Sequence, residues 1–210
     1  MKKLLTECIG TFFLVFTVCM TVLGGVALAP LAIGSSLMIM VYMGGHISGG
    51  HYNPAVSLAV TLRGKLGWGE FGQYVAAQLI GGVLAALAAY VILGKSFAPA
   101  PGDGVSTTAA LLTELLFTFA LALVVLNVAT SKGTSGNSFY GLAIGFTIVV
   151  AAFAGGAVSG GAFNPAVGLG PMIVHAMVGG GSFGNAWLYI VGPLAGGALA
   201  AVVFKIQEGE

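Results

Sequence analysis

Ser48-Gly49-Gly50-His51-Tyr52-Asn53-Pro54-Ala55-Val56 returns later in the chain as Ser159-Gly160-Gly161-Ala162-Phe163-Asn164-Pro165-Ala166-Val167, with only two side chains changed. The two asparagines stand 111 residues apart. Each frame follows an apolar segment and leads into a proline-started run, 54–63 and 165–177, too short to span a bilayer. Proline suits the first helical position because its missing N–H would have no partner there, and the asparagine before it is a strong N-cap. Asn53 and Asn164 are therefore expected to cap two half-helices. Ten residues at 1.5 Å each cover about 15 Å, half of a hydrocarbon layer about 30 Å thick. Two such helices entering from opposite faces would meet at the midplane.

Around these frames the chain offers six apolar stretches of spanning length, placed at 4–26, 30–47, 71–93, 108–129, 139–158 and 185–206. Three spans per half is an odd number, so the second half must be inverted relative to the first. The repeat extends beyond the frames: Thr6-Glu7 and Thr11-Phe12 recur as Thr113-Glu114 and Thr118-Phe119, and Leu79-Ile80-Gly81-Gly82 resembles Leu194-Ala195-Gly196-Gly197. The expected organisation is an all-α membrane protein in one integral membrane domain. A first repeat covers 1–106 with half-helix 54–63, and an inverted second repeat covers 107–210 with half-helix 165–177. Inverted repeats with broken helices mark a pathway at the midplane.

Composition agrees. Of the 210 residues, 58% are hydrophobic and 6% charged, where a soluble domain carries roughly a quarter charged residues; mean hydropathy is +1.03. Membrane lipid is the expected surrounding. A formal net charge of +1 leaves no basic patch for nucleic acid. Cys8 and Cys19 fall about three turns apart on one predicted helix, too far for a disulfide. The apolar stretch after Lys2-Lys3 is too long for the core of a signal peptide and reads as a first span. With both termini inside, Lys2, Lys3, Arg63, Lys65, Lys132 and Lys205 are cytoplasmic and Lys95 alone is outside, as the positive-inside bias requires. The brevity of the chain suggests the cell membrane of a prokaryote.

On these motifs the chain resembles, over nearly its whole length, the major intrinsic protein family of aquaporins and glycerol facilitators. Paired Asn-Pro-Ala motifs in inverted halves are highly specific to that family. The resemblance implies a bundle of six transmembrane helices plus two half-helices, a pore through each protomer, and a homotetramer.

The residues permit a mechanism of their own. Non-helical backbone at membrane depth is tolerated only where it lines a wet cavity or packs on protein. The stretches 45–52 and 155–163, with Gly49, Gly50 and His51 in the first and Gly160, Gly161 and Ala162 in the second, are thus expected to be non-helical pore loops that present carbonyls to a passage. The amides of Asn53 and Asn164 would donate to a passing oxygen. The positive ends of both half-helices would oppose cations there. Glu7 and Glu114 occupy matching places inside spans. A carboxylate at such depth costs roughly 2.5–3.5 kcal/mol on insertion scales and needs partners. A proton relay is one reading; the resemblance favours loop support by hydrogen bonds to backbone. His46 and His51 flank the first loop with no third ligand for a metal, and His175 reads as a polar cap near the end of the second half-helix. No cofactor is expected.

At the selectivity constriction the chain departs from the family pattern. The resemblance places arginine three residues after the second asparagine, where this chain has Val167, matched by Val56 in the first half. Spacing from the asparagines maps the other constriction positions onto Ile33, Ala152 and Gly161. An isopropyl group for a guanidinium removes a fixed charge and several donors, one of two barriers to cations and protons. The lining is expected to be apolar and wide, with Phe153 and Phe163 the side chains that have the reach to narrow it. A passive channel for water and small uncharged solutes such as glycerol, urea or a neutral metalloid acid is the leading reading. An ion-coupled secondary transporter and a sealed structural membrane protein are the alternatives. An enzyme is disfavoured, since no nucleophile–base pair, metal cluster or phosphate loop is present. Gly81, Gly82, Gly196 and Gly197 are expected to let helices approach closely.

Overall fold

A computed structural model describes residues 1–181 and 183–209; Ser182 and Glu210, both in the predicted second repeat, lie outside the described residues. Eight α-helices follow in order: α1 Lys2–Leu23, α2 Ala29–Ser48, α3 Pro54–Leu62, α4 Trp68–Leu93, α5 Thr107–Thr130, α6 Tyr140–Ser159, α7 Pro165–Met177 and α8 Leu188–Glu208, with a 3-10 turn at Lys132–Thr134. The described residues contain no strand. Six helices, α1, α2, α4, α5, α6 and α8, are long and apolar enough to cross a membrane. The other two, α3 and α7, have 9 and 13 residues, short of the ~20 that a span needs.

Local chemistry explains where these helices start and stop. Asn53 and Asn164 have extended backbones and accept, through Oδ1, the N–H of Ala55 at 2.8 Å and of Ala166 at 2.9 Å. Pro54 and Pro165 follow at the first helical position. The preceding helices α2 and α6 end on Gly49 (φ 92°) and Gly160 (φ 89°), so the expected non-helical stretches shrink to 49–52 and 160–163; these left-handed conformations stop a helix cheaply only when no Cβ is present. The largest boundary shifts are three residues, one of them in α1, which ends at Leu23 rather than 26. α4 begins at Trp68 rather than 71 because Gly67 and Glu70 fit a helix start, and α8 begins at Leu188 rather than 185. The first half-helix ends one residue early, with Arg63 as its C-cap.

Packing follows the sequence repeat. α1 runs along α4 as α5 runs along α8, and α2 lies against α6. The short helices cross over: α3 packs on α8, and α7 packs on α4. Glycines make this crossing possible, as expected for Gly82 and Gly197. A Cβ on Gly197 would lie 2.4 Å from the carbonyl oxygen of Ala55, and one on Gly82 would lie 2.9 Å from that of Ala166. At the centre of the α2–α6 contact, Gly34 and Gly145 approach so closely that a Cβ on either would sit 2.5 Å from the other's carbonyl oxygen. Small residues rather than a hydrophobic drive hold helices together in lipid. Large apolar side chains such as Leu84, Val91, Leu116, Phe146 and Val150 point outward, as a lipid-facing surface requires. Cys8 and Cys19 are free thiols on α1.

Candidate functional site

The site begins with two buried carboxylates. Glu7 accepts four hydrogen bonds: from Ser48 Oγ at 2.7 Å, His51 N at 3.0 Å, Tyr52 N at 2.7 Å and Gln78 Nε2 at 2.8 Å. Glu114 accepts three: from Ser159 Oγ at 2.7 Å, Ala162 N at 3.0 Å and Phe163 N at 2.6 Å. Both are fully buried. Every partner donates, which suits the carboxylate form and makes each an anchor for the loop ahead of a short helix. A proton relay would need an acceptor partner, and none of these bonds supplies one. Ser48 and Ser159 complete the brace by accepting the N–H of Gly50 and Gly161, each at 3.1 Å.

This bracing holds a strained backbone. Tyr52 (φ 49°) and Phe163 (φ 51°) are the only non-glycine residues with positive φ among those described, a conformation that costs side-chain-bearing residues roughly 1–2 kcal/mol. Their N–H groups go to the glutamates, and their carbonyls turn the other way. Asn53 Nδ2 donates to Phe163 O at 2.9 Å, and Asn164 Nδ2 donates to Tyr52 O at 2.8 Å. The N-termini of α3 and α7 are thereby tied head to head. Each amide group spends one N–H on the opposite loop and has a second in reserve.

A cavity opens beside this junction. Its lining includes Asn53 and Asn164, the predicted constriction residues Ile33, Ala152, Gly161 and Val167, and the loop residues Gly50, His51, Ala162 and Phe163. The rest is aliphatic, from Leu14, Val18, Leu37, Val56, Leu121, Val125, Ile144 and Ile148. The room for the centre of a water molecule is about 20 Å³, little more than the ~10–15 Å³ that one water needs. The lining draws aliphatic side chains from α1, α2, α3, α5, α6 and α7 around Ala152 and Gly161. Phe163 lines the cavity, whereas Phe153 is 55% exposed on the outer surface.

Residues 1–204 match the sequence profile of the major intrinsic proteins. The chain belongs to the major intrinsic protein family. It is 37% identical to aquaporin NIP1-1 of Oryza sativa subsp. japonica over 98% of this chain and 74% of that protein. It is 34% identical to nodulin-26 of Glycine max over 98% and 78%. The fold superposes on the aquaglyceroporin from Plasmodium falciparum with a TM-score of 0.85, covering 97% of this chain and 94% of that one at 22% identity. With this membership and six spanning helices, the chain is a multi-pass integral membrane protein.

Not every residue singled out for this family site reaches the cavity. Pro54, Ala55, Pro165 and Ala166 are buried behind the asparagines, the two alanines against α8 and α4. Gly160 packs on the loop at Ala100, where a Cβ would come 2.7 Å from the carbonyl oxygen. Gly49 and His46 instead line a larger polar vestibule, together with Lys3, Lys65, Tyr140 and the 130–137 segment. His51 belongs to both spaces. His175 sits on α7 with Nδ1 2.9 Å from Ser96 Oγ, so it ties α7 to the segment after α4 rather than capping its own helix. Among the described residues no cluster of three or more metal-type ligands forms.

Sequence reasoning missed Ser57, Gln78 and the strained backbones of Tyr52 and Phe163. The last two were visible as aromatic residues preceding both asparagines, a repeat whose value lay in the backbone. Gln78 carried a plainer signal, an amide in an otherwise apolar stretch of span.

Proposed function

We propose that this chain is a passive channel for water and small uncharged solutes, of the kind represented by glycerol, urea or a neutral metalloid acid. The observation that carries the reading is the head-to-head junction of α3 and α7, with both asparagines on the wall of one narrow cavity. Two helix N-termini aimed at one point present positive dipole ends, so a cation loses its hydration there without compensation. A neutral hydroxyl or water oxygen meets the spare amide N–H groups.

Ile33, Ala152, Gly161 and Val167 form the constriction in this proposal, and they offer no hydrogen-bonding side chain. Solutes there rely on backbone groups. Glu7 and Glu114 hold the loops and take no part in conduction. The chain is not an enzyme. The matching helix pairs α1–α4 and α5–α8 support two repeats, 1–106 and 107–210, in opposite orientation. The proposal also places the protein in the cell membrane with both termini cytoplasmic, on the lysine and arginine distribution, and as a homotetramer, on the family resemblance.

Stopped-flow light scattering of reconstituted vesicles tests the reading. Osmotic shrinkage in sucrose should be several-fold faster than in protein-free vesicles, followed by re-swelling when glycerol or urea is the osmolyte. Vesicles no faster than the protein-free control in either phase would reject the channel.

A further inference from the structure

The loops ahead of α3 and α7 are braced alike, so each is an internal control for the other. At three matched positions they differ in chemistry. His51 corresponds to Ala162 and Ser57 to Gly168 by their distance from the asparagines, and Gln78 corresponds to Pro193, each preceding the paired glycines of its helix. In the first half the three side chains are joined. Gln78 Nε2 lies 2.8 Å from Glu7 Oε2 and 3.0 Å from Ser57 Oγ, and Ser57 Oγ lies 3.0 Å from His51 Nδ1. In the second half nothing replaces them. Yet Glu114 holds Ala162 N and Phe163 N as Glu7 holds His51 N and Tyr52 N. The loop fold therefore does not need the polar trio. The trio also carries a penalty, because Gln78 is fully buried and its Oε1 has no partner, an arrangement that costs stability.

The order of donors points to one tautomer of the imidazole. The carboxylate of Glu7 only accepts, so the Gln78 atom facing it is the amide nitrogen, and its second N–H goes to Ser57 Oγ. The Ser57 hydroxyl, having accepted, has its own hydrogen to give to His51 Nδ1. The neutral ring then carries its proton on Nε2. That edge lies beside Gly49, where a Cβ would sit 2.9 Å from Nε2, and Gly49 lines the vestibule.

The side chains around the cavity include just three hydrogen-bonding ones, Asn53, Asn164 and His51. His51 alone of the three also borders the vestibule, which none of the four constriction residues reaches. We infer that His51 is a specificity-determining residue of the channel, an Nε2–H donor at the vestibule end of the cavity, with Ser57 and Gln78 as its positioning residues. Discrimination between solutes thus sits on the vestibule side of the asparagines, away from the apolar constriction. The inference rests on the channel reading above.

The test uses the full chain reconstituted in vesicles, with water permeability and glycerol permeability measured on the same preparations. H51A copies Ala162, which the second loop tolerates, and should raise the glycerol-to-water permeability ratio at least threefold by removing both the donor and the bulk of the ring. H51Q keeps a donor of similar reach and should hold the ratio within twofold of wild type. S57G copies Gly168 and should shift the ratio partway. Nitrogen-15 spectra of histidine-labelled protein, with the His51 signals identified by their loss in H51Q, should show the proton on Nε2 in the wild type and a mixture in S57G. A ratio unchanged in H51A, or a wild-type proton on Nδ1, overturns the assignment of His51. A wild-type protein that conducts neither water nor glycerol overturns the channel reading itself, a distinct result.

Discussion

Asn164 donates its side-chain amide to the carbonyl of Tyr52 at 2.8 Å, across the junction between α7 and the loop before α3. The same side chain caps its own helix through Oδ1. One residue thus starts a helix, captures a strained carbonyl and faces the cavity. Asn53 does the same toward Phe163.

Replacing Asn164 by alanine therefore removes two things at once. Loss of the cap costs about 1 kcal/mol, and a buried carbonyl left unpaired at Tyr52 costs about 1–3 kcal/mol more. Thermal unfolding of the purified protein should register the sum, about 2–4 kcal/mol, and water flux should fall with it. N164D keeps an oxygen for the cap but turns a second acceptor toward Tyr52, so it should lose stability despite an intact cap. An N164A protein as stable as wild type would show that the head-to-head tie contributes nothing.

Much of this arrangement was legible before any coordinates. Asn-Pro at the start of each short run specifies a capped helix locally, and the odd number of spans per half specifies inversion. The glutamates followed from the repeat, and the constriction positions were an expectation drawn from the family resemblance. What stayed hidden was non-local. No pattern along α8 says that Gly197 will receive the carbonyl of Ala55 from a helix more than a hundred residues earlier. Gln78 reads alone as a polar residue in a span, and its meaning appears only when Ser57 and Glu7 are brought to it.

The two glutamates should not be equally sensitive to neutralisation. A glutamine at position 114 can turn its NH2 toward Phe163 N alone, opposing one donor, whereas at position 7 either orientation opposes two. A hydrogen bond to a charged group is worth about 1.5–3 kcal/mol. E114Q should cost about that much and E7Q about twice as much. Unfolding midpoints of both variants, compared in the same lipid, check the order. Equal losses would mean that Glu7 has slack to re-pair its donors.

Helix propensity and packing make opposite forecasts for Gly197. Alanine is favoured over glycine inside a helix by about 1 kcal/mol, but here its methyl would lie 2.4 Å from a backbone oxygen, which no rotamer change can relieve. Overpacking of this kind costs about 1–3 kcal/mol, and α3 would have to move away from α8, carrying Asn53 with it. G197A should lower both stability and water flux. G82A, with 2.9 Å available, should do so less. Gly72 in α4 faces open space, so G72A should be neutral or slightly stabilising. Unfolding curves and vesicle shrinkage rates on the three variants decide whether close approach or propensity governs.

Val167 offers the most direct probe of the constriction. The residue is buried, at 5% exposure, and lines the cavity. Arginine there would add a fixed positive charge, several donors and a much larger side chain to a space with about 20 Å³ open to a water centre. A buried guanidinium must find acceptors. Bulk and charge act together against larger solutes and against protons. V167R should cut glycerol permeability about tenfold, equivalent to about 1.4 kcal/mol on the barrier, while water flux falls less and proton leak, followed with a trapped pH dye, declines. Glycerol permeability unchanged in V167R would place the constriction elsewhere along the cavity.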